Sequence, residues 1–419
     1  MDNRLVQKAL EIVNGFRKEK KAYLTTLDRP FNGKYYPLDQ GNFKNFSLCD
    51  YLNLSNDSRI KKAAADAALK YGVYTAMSRT FMKLSIYEAA EEMVSQIFHS
   101  PVLLLPRTTL SHITVLPVII DRKDAIILDH QVHTTVRIAV DMVKSYGVHV
   151  ETIRHNNLEM LSVLYDKLKD KYDKIWYFTD GVYSMFGDTL PVSEIKGLLK
   201  RLKKLYLYVD DAHGMSWIGK NGRGFFLSET EYEEKMFLVT SLGKGFGAGG
   251  SAIVCHNSEQ KEKIEILGTP LMFTSPVEPA TLGAIIESAK IHLSDEIIDL
   301  QGQLRELTDY FYKRSKELEL PIVDNTPTPI ILMAAGKPQV ALEFAEELFK
   351  NKIHVTGAIY PAVPYNNSGV RIIVNLTQTK KDLDEILEVM RIGYDKVYKK
   401  YHLNNYEILK HFKLGNNKT

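Results

Sequence analysis

Seven short apolar runs between residues 100 and 255 constrain this chain more than any other feature. They read PVLLLP, AIILD, VHVETI, KIWYFTD, LYLYVDD, KMFLVTS and SAIVCHN. Longer helical patterns, such as LEMLSVLYDKLKDKY and VSEIKGLLKRLKKL, lie between several of them. Alternation of this kind predicts an α/β fold whose mostly parallel seven-stranded sheet is covered by helices on both faces. In such sheets, ligands sit beyond the carboxyl ends of the strands. Polar residues gather there, at Asp129 to His133, Asp180 to Ser184, Asp210 to His213 and Ser241 to Lys244.

After Pro279 the pattern changes. A long helix begins there, and another rich in Leu, Glu and Lys follows from Asp295. Next come PTPIILMAA as a strand, VALEFAEELFKNK as a helix and VRIIVNL as a strand. A closing helix starts near Lys381, with capping-box spacing at Thr379 and Asp382. This predicts a smaller C-terminal α+β domain. The expected division is an N-terminal helical arm over 1–50, a large domain over 51–285, a small domain over 286–402 and a basic tail over 403–419. In the arm, Leu5, Ala9, Val13 and Phe16 mark one helix face.

A chain of 419 residues can bury a large core, and 45% apolar with 25% charged residues is ordinary for a globular protein. A net charge of +3 is too small to argue for nucleic acid. Two cysteines, Cys49 and Cys255, supply neither a disulfide framework nor a thiolate metal site, so a cytoplasmic location is expected. The N-terminus has no uninterrupted apolar run and does not read as a signal peptide. The most apolar stretch, PVLLLPRTTLSHITVLPVII, carries Arg107, His112 and three prolines and is a poor membrane span. From Asp395 onward, six lysines face two acids; this reads as a solvated helix end, or as a surface for an acidic carrier or anionic substrate.

Two clusters carry the chemistry. LYVDDAHGM ends a buried strand in Asp210, Asp211 and His213. A buried carboxylate is costly unless it meets a cation, although a helix cap or an arginine partner would also account for one here. VTSLGKGFGAGGSAIV then sets Lys244 in a glycine-rich turn between two strands. Such a lysine can form a Schiff base. A nucleotidase phosphate loop is the weaker reading, because no Ser or Thr follows GK. Together the clusters suit pyridoxal 5'-phosphate (PLP), which needs a lysine for its aldehyde and a carboxylate for its pyridine nitrogen.

The chain resembles the α-oxoamine synthase family of fold-type I PLP enzymes. The resemblance rests on DYLNLS (50–55), DHQVHTT (129–135), DGVYSMFGDTLP (180–191), VDDAHGMSWIGKNGRG (209–224), SLGKGFGAGG (241–250), FTSPVEP (273–279) and VRIIVNL (370–376), in the family's order. It implies that Lys244 carries the cofactor and moves the substrate proton, and that Asp210 pairs with the pyridine nitrogen. His133 would stack on the ring, with His213 and Ser184 near its phenolic oxygen. Ser241, Thr108 and Thr109 would contact the phosphate, as would Thr274 or Ser275 of a second subunit in a homodimer. Arg371 would bind the amino-acid carboxylate, with Cys49 and Arg79 also near the substrate. Departures from the pattern are Cys49 in place of asparagine, Asp180 in place of glutamate, Thr108–Thr109 in place of a glycine–aromatic pair, and a glycine-poor segment at 72–92.

The implied reaction condenses an amino acid with an acyl thioester, of coenzyme A or an acyl carrier protein, usually with decarboxylation. An aminotransferase or aldol-type lyase on the same fold is the alternative, followed by a non-catalytic binding scaffold.

Overall fold

The computed structural model describes residues 24–324 and 326–412. The predicted helix carrying Leu5 to Phe16 lies outside them. Contacts divide the chain into two units. The smaller holds 24–48, 185–187 and 305–412, and the larger holds 49–184 and 188–304.

The smaller unit opens with a hairpin, β1 (Tyr35–Leu38) and β2 (Gly41–Asn45), which the sequence patterns do not announce. The larger unit contains β3 (Val102–Leu105), β4 (Ala125–Asp129), β5 (His149–Ile153), β6 (Ile175–Asp180), β7 (Leu205–Asp210), β8 (Met236–Ser241) and β9 (Ser251–Val254). These are the seven apolar runs. They form one sheet in the order β3-β9-β8-β7-β6-β4-β5, with only β9 antiparallel to its neighbours.

Strand residues alternate between two buried faces. On one, Leu103, Ile126, Phe178, Tyr208, Phe237 and Ile253 meet helices Thr108–Ile119 and Thr134–Ser145. On the other, Leu104, Ile127, Tyr177, Val209, Leu238 and Val254 meet helices Ser85–Phe98, Leu158–Leu168, Val192–Arg201 and Pro279–His292. This double burial explains why the runs read as continuously apolar rather than alternating.

In the smaller unit, β10 (Ile330–Gly336), β12 (Thr356–Ala358) and β13 (Ser368–Ile373) form an antiparallel sheet in the order β10-β13-β12. The short β11 (Ile353–His354) runs parallel to β2. The Thr379–Asp382 capping box is present at the start of helix Lys380–Gly393.

The division differs from the sequence boundaries. Helix Pro279–His292 and the first half of Glu296–Glu317 stay with the larger unit, because Leu282, Ile285 and Ala289 are part of its core. The described part of the tail is folded, with a short helix at Asn405–Leu409 and with Ile408 and Phe412 buried.

Candidate active site

Parallel register brings the site together. Asp180 ends β6 directly opposite Asp210 at the end of β7. Asp210 in turn lies beside Val239 of β8, two residues before Ser241. The loop after β8 folds back on itself: the amides of Ala248 and Gly249 both donate to the Leu242 carbonyl, and Leu242 donates to Gly250. Gly247 has φ +75° and passes so close to Leu54 that a Cβ would lie 2.5 Å from it. Only glycine fits there. Lys244 is carried on this loop.

A cavity of 250 Å³ opens where these strands end. Lys244, Asp210, His133 and His213 line it. Ser241, Thr108 and Thr109 line it as well, the two threonines opening helix Thr108–Ile119. The remaining candidates fall elsewhere among the described residues. Ser184 is half-buried in the loop after β6, and Cys49 is also half-buried; neither is in the cavity lining. Thr274 donates to the Pro270 carbonyl, and the exposed Ser275 bonds the Tyr74 hydroxyl. Arg371 is buried on β13 of the smaller unit, opposite Leu332 and Thr356.

Arg79 is not at the cavity. Its guanidinium sits 2.8 Å from Glu265 and 3.0 Å from Glu91, over the ring of Tyr87. Lys261 closes the cluster on Glu91 at 2.8 Å. A buried guanidinium needs such partners, and this one takes them from the protein rather than from a substrate.

The adjacent aspartates behave differently. Burial alone would raise Asp210, but His112, Lys244 and His133 more than offset it and hold the carboxyl at about 2. His112 Nε2 is 3.0 Å from Asp210 Oδ2, and the Ala212 amide donates to Oδ1 at 3.0 Å. Asp211 is pushed up to about 8, chiefly by burial. Three glycines enclose it: a Cβ on Gly181, Gly214 or Gly224 would come within 2.2, 2.1 or 2.4 Å of its carboxylate. Its Oδ2 accepts from the Phe226 amide. Asp180 is driven well above the usual carboxylate range by burial and by the Asp210 charge facing it. Of the three carboxyls, Asp210 is the one that stays ionised.

His133 caps helix Thr134–Ser145. Its Nδ1 accepts from the Thr135 amide, while its own backbone amide donates to Asp180. Burial holds its ring below the ordinary histidine value, and Lys244 adds to that effect. A neutral, partly buried imidazole is a suitable platform for a flat ring. His213 Nδ1 is 2.7 Å from the hydroxyl of the fully buried Tyr51.

An ionic bridge fastens the loops that carry His133 and Asp180. His155 places Nδ1 3.1 Å from Asp129 and Nε2 2.5 Å from Asp188. Asp129 also accepts from the Gln131 and Asn156 amides and from Tyr177. Burial lowers His155, but the two carboxylates raise it to about 10. Sequence reasoning missed His112, Tyr51 and His155. Their partners lie 98, 162 and 26–33 residues away, so no local pattern marks them.

The donor set fits PLP: an amine and an ionised carboxylate share one cavity with a neutral imidazole, while three hydroxyls stand at its rim beside a helix N-terminus, where a phosphate is favoured.

Known proteins agree. Residues 44–390 match the family described as aminotransferase class I and II. The chain is 30% identical over 385 residues to 8-amino-7-oxononanoate synthase of Thermoanaerobacter pseudethanolicus, spanning 91% of this chain and 93% of that protein. It is 29% identical over 349 residues to the enzyme of the same name from Alkaliphilus metalliredigens, spanning 83% and 86%. In fold it resembles serine palmitoyltransferase of Sphingomonas wittichii, with TM-score 0.85, 19% identity, and 94% and 97% of the two chains covered. The chain belongs to the aminotransferase class I and II family and, within it, to the α-oxoamine synthases.

Proposed function

We propose that Lys244, Asp210, His133, His213, Ser241, Thr108 and Thr109 form the cofactor and reaction centre of this enzyme. The chain is a PLP-dependent acyltransferase that condenses an amino acid with an acyl thioester to give an α-oxoamine. The observation that supports the assignment of residues is their convergence on one cavity at the carboxyl ends of β6, β7 and β8.

PLP, when bound, supplies an electron-withdrawing ring that stabilises negative charge at the amino acid's Cα. The residues then divide the work. Lys244 is the amine that would hold the cofactor's aldehyde carbon and, when free of it, would take the Cα proton. Asp210 is the anion that would pair with the ring nitrogen. His133 would offer the ring a neutral flat face, and His213, braced by Tyr51, would hydrogen-bond to it. Ser241, Thr108 and Thr109 would hold the phosphate. Arg371 is the carboxylate partner for the amino acid, its guanidinium offering a bidentate fork.

A homodimer is the working assembly. Supporting it, Val73, Tyr74, Phe81 and Phe273 are exposed, with Phe81 at 81% and Phe273 at 76%. A hydrogen bond between the Tyr74 and Ser275 hydroxyls and one from Ser78 to the Leu271 carbonyl join the two segments. An apolar surface of this kind favours a protein partner, and Thr274 and Ser275 beside it would serve the site of the second copy. The acyl carrier is coenzyme A or an acyl carrier protein, and the setting is cytoplasmic. No helix among the described residues is long and apolar enough to cross a membrane.

The test is direct. Purified protein reconstituted with PLP should absorb at roughly 420 nm, and a panel of amino acids should reveal one that shifts the band. With that amino acid, acyl thioesters should release free thiol. Turnover of a keto acid with no thiol release would point instead to an aminotransferase, and a colourless protein would remove the cofactor assignment.

A further inference from the structure

The carboxylate at the end of β7 is supported from behind. His112 lies on helix Thr108–Ile119, the helix whose first turn lines the cavity, and its side chain is fully buried. Its Nε2 is 3.0 Å from Asp210 Oδ2, and its Nδ1 is 2.7 Å from the Tyr208 hydroxyl. An ionised carboxylate only accepts hydrogen bonds. Nε2–H therefore donates to Asp210, and one tautomer satisfies both ends if the Tyr208 hydroxyl donates to Nδ1.

Tyr208 is itself immobilised. It stacks on Phe178 at 4.5 Å and on Phe237 at 5.7 Å, its register neighbours on β6 and β8. Burial and the Asp210 charge push its phenol well above the usual tyrosine range, so the hydroxyl keeps its proton. The result is a dry chain from the sheet core through Tyr208 and His112 to Asp210. Fixing the partner of a catalytic group from the far side is how buried networks orient first contacts.

We propose that His112, seated on Tyr208, is a positioning residue that fixes the Asp210 carboxylate for the pyridine nitrogen of PLP. The inference rests on the cofactor reading above. Besides His112, the charged or titratable groups around Asp210 are Lys244 from the loop after β8, His133 from the start of helix Thr134–Ser145, Asp180 on β6 and Asp211 next in sequence. In the hydrogen-bond pattern, Oδ2 goes to His112 and Oδ1 to the Ala212 amide.

The consequence is electronic. Without its buried donor, the carboxylate is a poorer resting place for negative charge and takes the ring proton for itself. A positive charge on the ring opposes a second one at the atom joining it to Lys244. Losing the ring proton therefore raises the pH midpoint of the cofactor's visible absorbance.

The experiment strips the purified full chain of cofactor and titrates it with PLP. It then follows the visible band against pH for wild type, H112A, H112Q and Y208F, with circular-dichroism melts as the fold control. In H112A, PLP binding should weaken about tenfold or more, the loss expected for one hydrogen bond to a charged group. Its midpoint should rise by about 1 pH unit. H112Q, which keeps a donor, should recover part of both effects, and Y208F should show a smaller rise. A folded H112A with affinity within about twofold of wild type and an unmoved midpoint overturns the proposal. If H112A does not fold, Y208F decides by the same readout: a raised midpoint supports the chain, and an unmoved one overturns it. A wild type that takes up no PLP overturns the cofactor reading beneath it instead.

Discussion

Replacing His155 by alanine removes the cation that two buried carboxylates share. The side chains of His155, Asp129 and Asp188 are 5%, 0% and 4% exposed. Solvent therefore cannot take over the lost contacts. Breaking a buried ion pair from one side costs about 3–5 kcal/mol. The raised histidine gives a similar figure: moving from 6.5 to about 10, at about 1.36 kcal/mol per pH unit, corresponds to about 5 kcal/mol. For a unit of this size, about 4 kcal/mol lowers Tm by roughly 10 °C. The sign with pH is fixed by linkage. Because the folded value lies above the unfolded one, the contribution is complete below pH 6.5 and is lost as pH rises through about 10. Thermal melts of wild type and H155A at pH 7 and at about pH 9.5 test both points. The difference in Tm should be large at the lower pH and clearly smaller at the higher. H155A/D188N, which removes one stranded charge, should regain part of the loss at pH 7. An H155A protein melting within about 2 °C of wild type at pH 7, with a gap indifferent to pH, would refute the bridge as a source of stability.

Other predictions follow from the same geometry. K244A should bind no PLP covalently, so borohydride treatment and mass spectrometry should find cofactor mass on wild type but not on K244A. D210N and D211N should separate two neighbouring acids. D210N should weaken PLP binding at pH 8 and also lower Tm, since a carboxylate held at about 2 against an ordinary 3.8 stabilises the fold at that pH, whereas D211N should bind PLP and melt no lower than wild type. The reason is that the Asp211 proton, held to about 8 against an ordinary 3.8, makes folding less favourable as pH climbs between those values, and asparagine removes that dependence. G181A should be destabilised by about 3 kcal/mol or more in urea unfolding, because its Cβ would overlap Asp211, and G181A/D211A should be less unstable than the single variants suggest. R79M should lose about 1–3 kcal/mol, because Glu91 keeps Lys261 but gives up the buried guanidinium, while leaving the PLP absorbance band in place.

The sheet was legible because both of its faces are buried, which makes every strand but the edge strand β5 a dense apolar run. Lys244 and Asp210 stood out for the same reason: each terminates such a run. The hairpin β1–β2 was not legible, since YYPL and GNFKN are half exposed and carry too little apolar contrast. Arg79 misled because the carboxylates that claim it, Glu91 and Glu265, lie 12 and 186 positions along the chain. His112 was visible only as a polar interruption of an apolar stretch. What it touches depends on how β7 and helix Thr108–Ile119 are laid together, and no spacing rule encodes that. His155 is the same kind of case, joining three strand ends through a fold rather than a motif.

The aromatic column of Phe178, Tyr208 and Phe237 has a consequence for how this enzyme can change. Its rings fill the interior, yet the middle one also reaches the Asp210 carboxylate through a single imidazole. Conservative swaps at positions 178 and 237 that leave melting behaviour intact would still tilt that middle ring by a fraction of an ångström and alter the acid's basicity. Reactivity could thus drift, under selection or in the laboratory, through residues that no substrate ever meets.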